Sequence, residues 1–452
     1  LDYDQDGYLD LYLLNQPPSK GNRKGNKVTL SRLKSIYYTD KIYRNARDGQ
    51  YFDATDWAGV NNLAMGLSAT VGDLNDDLLP DIYVANDYEK PDHLYINQGM
   101  GKYKNMANQS LKHMSNFSMG TDIADYDNDG YLDIVAVDMV AEDHKRIKTN
   151  MGGMDPQAFW DVVYKGWHYQ YMFNTLQRNN GNTTFSEVAH LAGVSNTDWS
   201  WSALFGDFDN DGWKDLFITN GVKRAMRNSD LGLEYGVLLD SLEVVAESQG
   251  KGLWELIDIM ELVEMAPVER IPNYVFHNNG DLTFSKKSKE WGVDIPTLSY
   301  GAAYADLDND GDLELIINNT DDFAHIYRNN TVEKGMGNFL RVAVRDNHGA
   351  PAYGAKVKLF KDGKFWQLQE LSNSRGYKSK SEDVLHFGIA DATGVDRVEI
   401  TWSYGEHLVL EDVDANQVIE VDPSMTDQQV SAKEPIATVF LSLIHISEPT
   451  RL

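Results

Sequence analysis

The sequence predicts an all-β protein in which a β-propeller is followed by a small antiparallel β-sandwich-like domain. An acidic loop recurs five times between residues 2 and 314, and each copy leads directly into a short apolar stretch. A hairpin motif recurs between successive loops. From residue 338 onward the loops give way to apolar segments that alternate with Gly- or Asn-containing turns, which is typical of an antiparallel β-domain.

The acidic loops follow the pattern Asp-x-Asp-x-Asp-Gly, with a further carboxylate at position 9. They are DYDQDGYLD at residues 2–10, DLNDDLLPD at 73–81, DYDNDGYLD at 125–133, DFDNDGWKD at 207–215 and DLDNDGDLE at 306–314. The stretches that follow, LYLLN, IYVAND, IVAVD, LFITN and LIINN, predict short buried strands. The second loop is degenerate, since Asn75 replaces a carboxylate and Leu78 replaces Gly.

A hairpin and a lead-in strand complete the repeated unit. The hairpin is KIYRNARDGQYF, HLYINQGMGKYK, TLQRNNGNTTFS and YVFHNNGDLTFS in successive copies, and Asn-Gly between apolar runs indicates a tight turn. The lead-in strands are GLSATVGD, SMGTDIAD, WSWSALFGD and SYGAAYAD. One unit is therefore loop, strand, hairpin and strand, which is the content of a four-stranded propeller blade.

Unequal loop spacings indicate three insertions, near residues 16–46, 139–174 and 222–272. Each follows a post-loop strand, so we expect all three on one face of the propeller. The second insertion is aromatic, and the third contains a stretch with a helical period that ends at Pro267. The first insertion is basic and contains Lys20, Arg23, Lys24, Lys27, Arg32 and Lys34.

We expect propeller blades over residues 1–335, the β-domain over 336–422, and a linker with a non-native tail over 423–452. The last residues, SLIHISEPTRL, resemble the translation of a sequencing adaptor. The chain begins with Leu1 directly before an acidic loop, so we expect an internal fragment with any signal peptide upstream.

The acidic loops predict calcium sites. Calcium prefers six to eight oxygen ligands, and side chains at positions 1, 3 and 5, a backbone carbonyl at position 7 and a carboxylate at position 9 supply them. An EF-hand is excluded, because it needs a Glu at position 12 and flanking helices, whereas position 12 here falls within predicted strands. We expect four strong sites and one degenerate site. The candidate ligands are Asp2, Asp4, Asp6, Tyr8, Asp10, Asp73, Asn75, Asp77, Leu79, Asp81, Asp125, Asp127, Asp129, Tyr131, Asp133, Asp207, Asp209, Asp211, Trp213, Asp215, Asp306, Asp308, Asp310, Asp312 and Glu314.

The composition excludes several classes of function. A formal net charge of −28 argues against general nucleic-acid binding. The absence of cysteine excludes disulfides and cysteine zinc sites. The apolar run near residues 436–446 is too short to cross a bilayer, so we expect no transmembrane segment in this fragment.

The quoted loops and the lead-ins WSWSALFGDFDNDG and YGAAYADLDNDG resemble the FG-GAP/VCBS repeats of integrin-α-like propellers. The segments GAPAYGAKVKLF and LHFGIADATGVDRVEITW resemble the ASPIC/UnbV domain that follows such repeats in the cartilage acidic protein family and its bacterial relatives. The resemblance implies calcium as ligand, a secreted or outer-surface location, often as a lipoprotein, and seven blades when complete. It implies no reaction.

Three functions stay open at this point. We expect a surface binding or adhesion module for carbohydrate or protein, with no catalytic residues. One alternative is a polysaccharide lyase or hydrolase, although His144, His168 and His190 have no evident partner in the sequence. The other is a scaffold of a nutrient-uptake complex that docks through the acidic third insertion. The aromatic candidates for stacking on sugar rings are Trp160, Trp167, Tyr169, Tyr171, Trp199 and Trp201.

Overall fold

The computed structural model describes residues 1–16, 38–88, 90–150, 155–225, 228–426 and 428–429. The predicted all-β class is confirmed, because nearly all regular structure in these residues is strand, arranged as five blade sheets and a C-terminal β-domain. The six basic residues of the first insertion lie outside the described residues.

The first two blades are antiparallel meanders. Blade 1 has strands β1 (Leu11–Leu13), β2 (Lys41–Asn45) and β3 (Tyr51–Asp53), and the one-turn helix α1 (Thr55–Ala58) follows. Blade 2 has β4 (Met65–Gly72), β5 (Asp81–Asp87), β6 (His93–Asn97) and β7 (Tyr103–Asn105), and α2 (Ala107–Ser110) follows. Strand β2 begins at Lys41, within the range predicted for the first insertion.

Blade 3 carries the second insertion between its middle strands. The strands outside the insertion are β8 (Met114–Ser115), β9 (Thr121–Ala124), β10 (Asp133–Ala136), β13 (Thr175–Asn179) and β14 (Phe185–Glu187), with α5 (Ala189–Ala192) after them. The insertion contains β11 (Met139–Val140), α3 (His144–Asn150), α4 (Pro156–Tyr164) and β12 (Gln170–Tyr171). Strand β12 pairs in parallel with β8, so the insertion is tied back to the start of its own blade.

Blade 4 carries the helical insertion, and blade 5 follows. Blade 4 has β15 (Asp198–Gly206), β16 (Asp215–Asn220), β18 (Tyr274–Asn278) and β19 (Phe284–Lys286). Its insertion has α6 (Ser229–Ser248), a 3-10 turn (Leu253–Glu255), α7 (Ile259–Met265) and β17 (Ile271–Pro272), which pairs with β20 (Pro296–Thr297). Blade 5 has β21 (Ser299–Ala305), β22 (Glu314–Asn319) and β23 (His325–Tyr327).

The C-terminal domain consists of two sheets around one apolar core that includes Val357, Phe387 and Trp402. Its strands are β24 (Phe339–Val344), β25 (Lys356–Lys361), β26 (Lys364–Glu370), β27 (Leu385–Gly388), β28 (Gly394–Thr401), β29 (Glu406–Asp414), β30 (Gln417–Val421) and β31 (Gln428–Gln429), with a 3-10 turn at Pro423–Met425. The sequence predicts an antiparallel domain, and one strand pair differs from this prediction. Strands β24 and β30 run in parallel, which is possible because the other sheet lies between them in the chain.

One segment of the C-terminal domain contacts several blades of the propeller. We call residues 371–384, between β26 and β27, the central segment. It contacts the first strands of four successive blades in turn, and these strands pack against one another along the propeller axis. The contacts are Ser374 Oγ to the Ala69 carbonyl at 2.6 Å, Gly376 N to the Thr121 carbonyl at 2.8 Å, Tyr377 N to Ser202 Oγ at 3.1 Å, and Ala302 N to Ser379 Oγ at 3.1 Å.

Candidate metal centres

All five acidic loops have the same backbone. Position 4 is left-handed in each, with φ between 53° and 60° at Gln5, Asp76, Asn128, Asn210 and Asn309. Position 6 is also left-handed, with φ from 90° to 97° at the four glycines. The degenerate loop keeps this turn, because Leu78 adopts φ 66° at a cost of about 1–2 kcal/mol.

The position 1 carboxylate holds the curl of each loop. In the third loop, Asp125 Oδ1 accepts the Asp129 N–H at 3.1 Å and Oδ2 accepts the Gly130 N–H at 3.0 Å. Asp2, Asp73, Asp207 and Asp306 make the same pair of bonds. The side chains at positions 1, 3 and either 5 or 9 therefore converge, within 4.8 Å of one another in the groups Asp2–Asp4–Asp6, Asp125–Asp127–Asp133, Asp207–Asp209–Asp215 and Asp306–Asp308–Glu314.

The position 9 carboxylate ties each loop to a hairpin asparagine, which we call the staple asparagine. In blades 2 to 5 the staple asparagine also reaches the preceding blade. Asp133 Oδ1 accepts the Asn179 N–H at 2.7 Å, and Asn179 Nδ2 donates to the carbonyls of Leu132 at 3.0 Å and Leu74 at 2.9 Å. Leu74 belongs to the second loop, so one amide joins two blades. Asn97, Asn278 and Asn329 make the equivalent bond to Tyr3, Tyr126 and Phe208.

The loops concentrate negative charge in buried positions. Burial, and then the neighbouring Asp127, raise the pKa of Asp125 to about 8. Burial likewise raises the pKa of Asp215 to about 7 and that of Asp10 to about 6. A cation bound between the carboxylates would offset both the burial and the mutual repulsion.

Position 3 supplies the observation that tests whether an ion fits. Asp4 Oδ1, Asp127 Oδ1 and Asp209 Oδ1 are buried without a hydrogen-bond partner in the part of the chain that the structure describes. Buried acceptors are normally satisfied, so three equivalent exceptions indicate a missing positive or donor group. Hard carboxylate oxygens around a tight turn fit calcium.

The second loop differs in charge more than in shape. Asn75 donates through Nδ2 to Asp77 at 2.9 Å, and Asn75 Oδ1 is a buried acceptor without a partner among the described residues. Lys356 of the C-terminal domain lies 2.7 Å from Asp73 Oδ2 and 3.1 Å from Asp76 Oδ1. The loop therefore has one carboxylate fewer in its ring and a buried ammonium at its outer side.

The position 7 residues differ from loop to loop. The side chains of Tyr8 and Tyr131 are about two-fifths exposed, and Asp312 Oδ2 accepts the Val332 N–H at 2.9 Å. Leu79 and Trp213 each donate their backbone N–H to position 5, at 2.9 Å from Asp77 and 2.8 Å from Asp211. The backbone N–H is used in this way, and ligation by the position 7 carbonyls stays a prediction.

The predicted aromatic residues divide into two groups. Trp201 is half-buried, with its Nε1 donating to the Gly221 carbonyl at 2.8 Å and its ring 4.5 Å from that of Tyr300. Trp199 packs on the small core of Val222, Ala225 and Ile271. The other four lie on the second insertion, where Trp160 and Tyr169 are exposed, and Trp167 and Tyr171 are half-buried.

The histidines considered for catalysis make structural contacts. His168 Nε2 lies 3.0 Å from the Leu111 carbonyl, and the His190 ring lies 4.5 Å from that of Phe173. Glu187, three residues before His190, pairs instead with His113 at 3.3 Å and caps α5 through the Ala189 N–H. His144 is exposed at the start of α3.

Sequence reasoning missed the hairpin asparagines and the docking of the C-terminal domain. The asparagines are visible in the sequence as the residue that ends each hairpin strand, KIYRN, HLYIN, TLQRN and YVFHN. The docking contacts join residues such as Lys356 and Asp73, which are 283 positions apart, and nothing in the sequence connects them.

Comparison with known proteins agrees with this architecture. The family of FG-GAP-like repeats matches residues 73–136, 161–218 and 265–317, and the family named ASPIC and UnbV matches residues 345–428. No helix in the described residues is long and apolar enough to cross a membrane.

Curated relatives share the chain's sequence at low identity. Cartilage acidic protein 1 of Mus musculus is 24% identical over 358 residues, which cover 78% of this chain and 44% of the mouse protein. The Homo sapiens protein is 23% identical over 376 residues, covering 82% of this chain and 46% of the human protein. The chain thus spans about half the length of these relatives.

Among solved structures, a lectin of Agrocybe aegerita aligns with 84% of this chain and 88% of the lectin chain. Its structure describes the recognition of non-reducing terminal N-acetylglucosamine by that lectin. The TM-score is 0.31 and the identity 14%, a likeness too low to inform on this chain. The two matched sequence families identify the repeats and the C-terminal domain. The chain is a protein of FG-GAP-like repeats joined to an ASPIC/UnbV domain, the architecture of its cartilage acidic protein 1 relatives.

Proposed function

We propose that the chain is a calcium-stabilised binding module that works outside the cytoplasm and engages a carbohydrate or protein partner at a cell surface. Its FG-GAP-like repeats and ASPIC/UnbV domain are of the binding and adhesion type. The observation that carries the calcium part is the buried, unpartnered oxygen at position 3, seen at Asp4 and Asp127.

An extracytoplasmic location follows from the expected affinity. Extracellular calcium modules bind at roughly 10⁻⁴ to 10⁻³ M, so such sites fill outside cells and stay mostly empty in cytosol. When free calcium exceeds the dissociation constant a hundredfold, each filled site adds about 2.7 kcal/mol to the free energy of unfolding.

The face of the propeller opposite the acidic loops is the one accessible to a partner. The acidic loops lie under the C-terminal domain, as shown by Gln5 donating to the Ser403 carbonyl at 2.9 Å and His386 lying 2.7 Å from Asn210. The post-loop strands lead away from these contacts, and the second and third insertions follow at their far ends. The opposite face carries Trp160 and Tyr164, which are 46% and 81% exposed and stack at 5.9 Å.

Thermal unfolding with and without calcium tests the metal part. We expect calcium to raise the melting temperature and EDTA to lower it, with magnesium at the same concentration as the control. The rise should shrink on acidification, because carboxyls with a pKa raised to about 6 to 8, such as Asp211, Asp215 and Asp125, are protonated there and do not bind metal. An unchanged melting temperature at about pH 8 would sink the calcium proposal.

A glycan array probed with the calcium-loaded chain tests the partner class. Retention of defined glycans, lost in Trp160→Ala and Tyr164→Ala but kept in Trp57→Ala, would support a carbohydrate partner. Trp57 is a matched control because it is 61% exposed and belongs to blade 1, away from the second insertion. Failure to retain any glycan would contradict a carbohydrate partner and favour a protein partner for this face.

The helical insertion favours a second candidate, a scaffold in a surface complex. On α6, Leu233, Val237 and Val244 are each about 70% exposed, although they are apolar. Exposed apolar stretches of this kind mark protein contacts. A photo-reactive residue at Val237 should then cross-link one discrete protein in intact cells, and the same residue at the exposed hairpin position Asn180 should not.

A further inference from the structure

One side chain at the rim of each loop comes from the hairpin strand, directly before the staple asparagine. It is Arg44 in blade 1, Arg178 in blade 3 and Arg328 in blade 5. Arg44 and Arg178 reach the carboxylates at positions 3 and 5, and Arg328 reaches the one at position 3. In blade 2 the residue is Ile96, and in blade 4 it is His277. The fourth loop is therefore set apart from the arginine loops by its rim residue.

His277 is placed where its ring nitrogen faces the loop. Its Nδ1 lies 3.2 Å from Asp209 Oδ2 and 3.4 Å from Asp215 Oδ1. Ligand atoms of Asp209, Asp211 and His277 all lie within 4.8 Å of one another. The position is fixed by β18, because the next residue, Asn278, is bonded to Asp215 through its backbone N–H at 2.9 Å.

The chemistry of arginine and histidine at this place is different. A guanidinium has donors only and repels a metal ion, whereas an imidazole offers a nitrogen lone pair once it has lost its second proton. The hydrogen bond to Asp215 raises the pKa of His277 to about 9, so a bound ion has to displace that proton. Calcium prefers oxygen ligands, while imidazole nitrogen suits zinc and other divalent transition ions, with carboxylates as further ligands. Asp209 Oδ1 is in addition a buried acceptor without a partner among the described residues.

We propose that the fourth loop is a mixed nitrogen and oxygen site for a divalent transition ion of the zinc class, held by His277 Nδ1 with Asp209 and Asp211. The site goes beyond calcium stabilisation and does not require calcium in the other loops. His277 keeps a quarter of its side chain exposed, which gives the ion a path from solvent.

Cobalt(II), as a spectroscopic substitute for zinc, tests the proposal on the full chain. We expect one hyperfine-shifted, solvent-exchangeable imidazole N–H proton in the NMR spectrum at one equivalent of cobalt, removed by zinc. His277→Arg, which copies the arginine loops, should abolish this signal and weaken cobalt binding roughly tenfold to a hundredfold. If His277→Arg does not fold, His277→Asn serves the same purpose.

The outcomes separate this proposal from the calcium proposal. A shifted proton that is absent in the wild-type chain, or that persists in the His277 variant, would overturn the transition-metal site and leave His277 as a cationic rim residue like Arg178. Calcium raising the melting temperature while cobalt gives no such proton defeats this inference alone. A cobalt-bound His277 in a chain that calcium does not stabilise defeats the calcium proposal alone.

Discussion

The face of the propeller that carries the acidic loops differs from the opposite face in repetition and in cover. On the loop face, five loops share one backbone, and the C-terminal domain contacts them through groups such as Lys356, Arg341 and His386. On the insertion face, the second and third insertions differ in length and structure, and aromatic and apolar side chains such as Tyr164 and Val237 are exposed.

The difference assigns structural stabilisation to the loop face and recognition of a partner to the insertion face. A repeated loop that is buried under a second domain can evolve little, since any change meets a packed neighbour. At Gly388, an added Cβ would lie 2.2 Å from Asp207 Oδ2 and 2.4 Å from the Asn210 Cα atom, so even an alanine would push the domain off the fourth loop. Recognition is freer to vary on the insertion face, which is where we place it.

Removing the charge of Lys356 should have the largest effect. The ammonium is buried, with only 4% of the side chain exposed, and it pairs with Asp73 and Asp76 across the domain junction. Lys356→Met leaves these carboxylates and Glu370 uncompensated, and breaking a buried pair costs about 3–5 kcal/mol. Urea unfolding measures the loss. Lys358→Met, two residues along the same strand and half-buried, is the control and should cost far less.

Cutting one inter-blade staple should have the next largest effect. Asn179→Ala removes the amide that bonds Leu74 and Leu132, and it strands buried backbone carbonyls in two blades. We expect a loss of about 2–4 kcal/mol in the free energy of unfolding, because each of the two unsatisfied carbonyls costs about 1–2 kcal/mol. Asn180→Ala changes the adjacent, exposed residue of the hairpin and should be nearly neutral. Equal losses in the two variants would contradict the staple.

The loop face shows how far the sequence could predict this molecule. The loops and their strands were found because the same residue types recur at the same spacing, and Leu13, Val84, Ala136, Ile218 and Ile317 do lie inside strands, as the exclusion of an EF-hand requires. The staple asparagines were missed because a lone Asn before a turn has an ordinary role in the turn itself.

Other features were beyond local reasoning for physical reasons. The one-turn helices α1, α2 and α5 are too short to show a helical period. The packing of Trp201 depends on Tyr300 and Tyr377, which reach it only in the folded chain, and its role in stacking on sugars stays a prediction. Docking of the central segment depends on contacts between residues hundreds of positions apart, such as Ser374 and Ala69.

The stability contributed by Asp92, at the end of β5 in blade 2, should depend on pH. Asp92 caps the end of β5 through the Asn86 N–H at 2.8 Å and accepts from Ser118 Oγ at 2.6 Å. Burial raises the pKa of Asp92 to about 7 from 3.8. Since the folded-state pKa is the higher one, its stabilising contribution is complete below the unfolded pKa and is lost as the pH rises through about 7.

The free energy of unfolding of the calcium-loaded chain should therefore fall with rising pH, by up to about 1.4 kcal/mol per pH unit for this one group. Asp92→Asn should flatten that slope, because an amide does not titrate. The substitution should be tolerated, since Asn174 and Asn273 occupy the equivalent places in blades 3 and 4 and accept the equivalent backbone N–H. Urea unfolding between about pH 5 and about pH 8 gives the slope. A slope unchanged by the substitution would show that Asp92 does not titrate with folding.

Substitutions on the insertion face should have the smallest effect on stability. Trp160→Ala and Tyr164→Ala remove rings that stack mainly on each other and on Phe159, so we expect each to change the free energy of unfolding by no more than about 0.5 kcal/mol. Binding to any partner of this face should nevertheless weaken tenfold or more, since exposed aromatic anchors carry about 2 kcal/mol or more of an interface. A large loss of stability in urea would mean that the aromatic cluster holds the fold, and the contrast between the two faces would fail there.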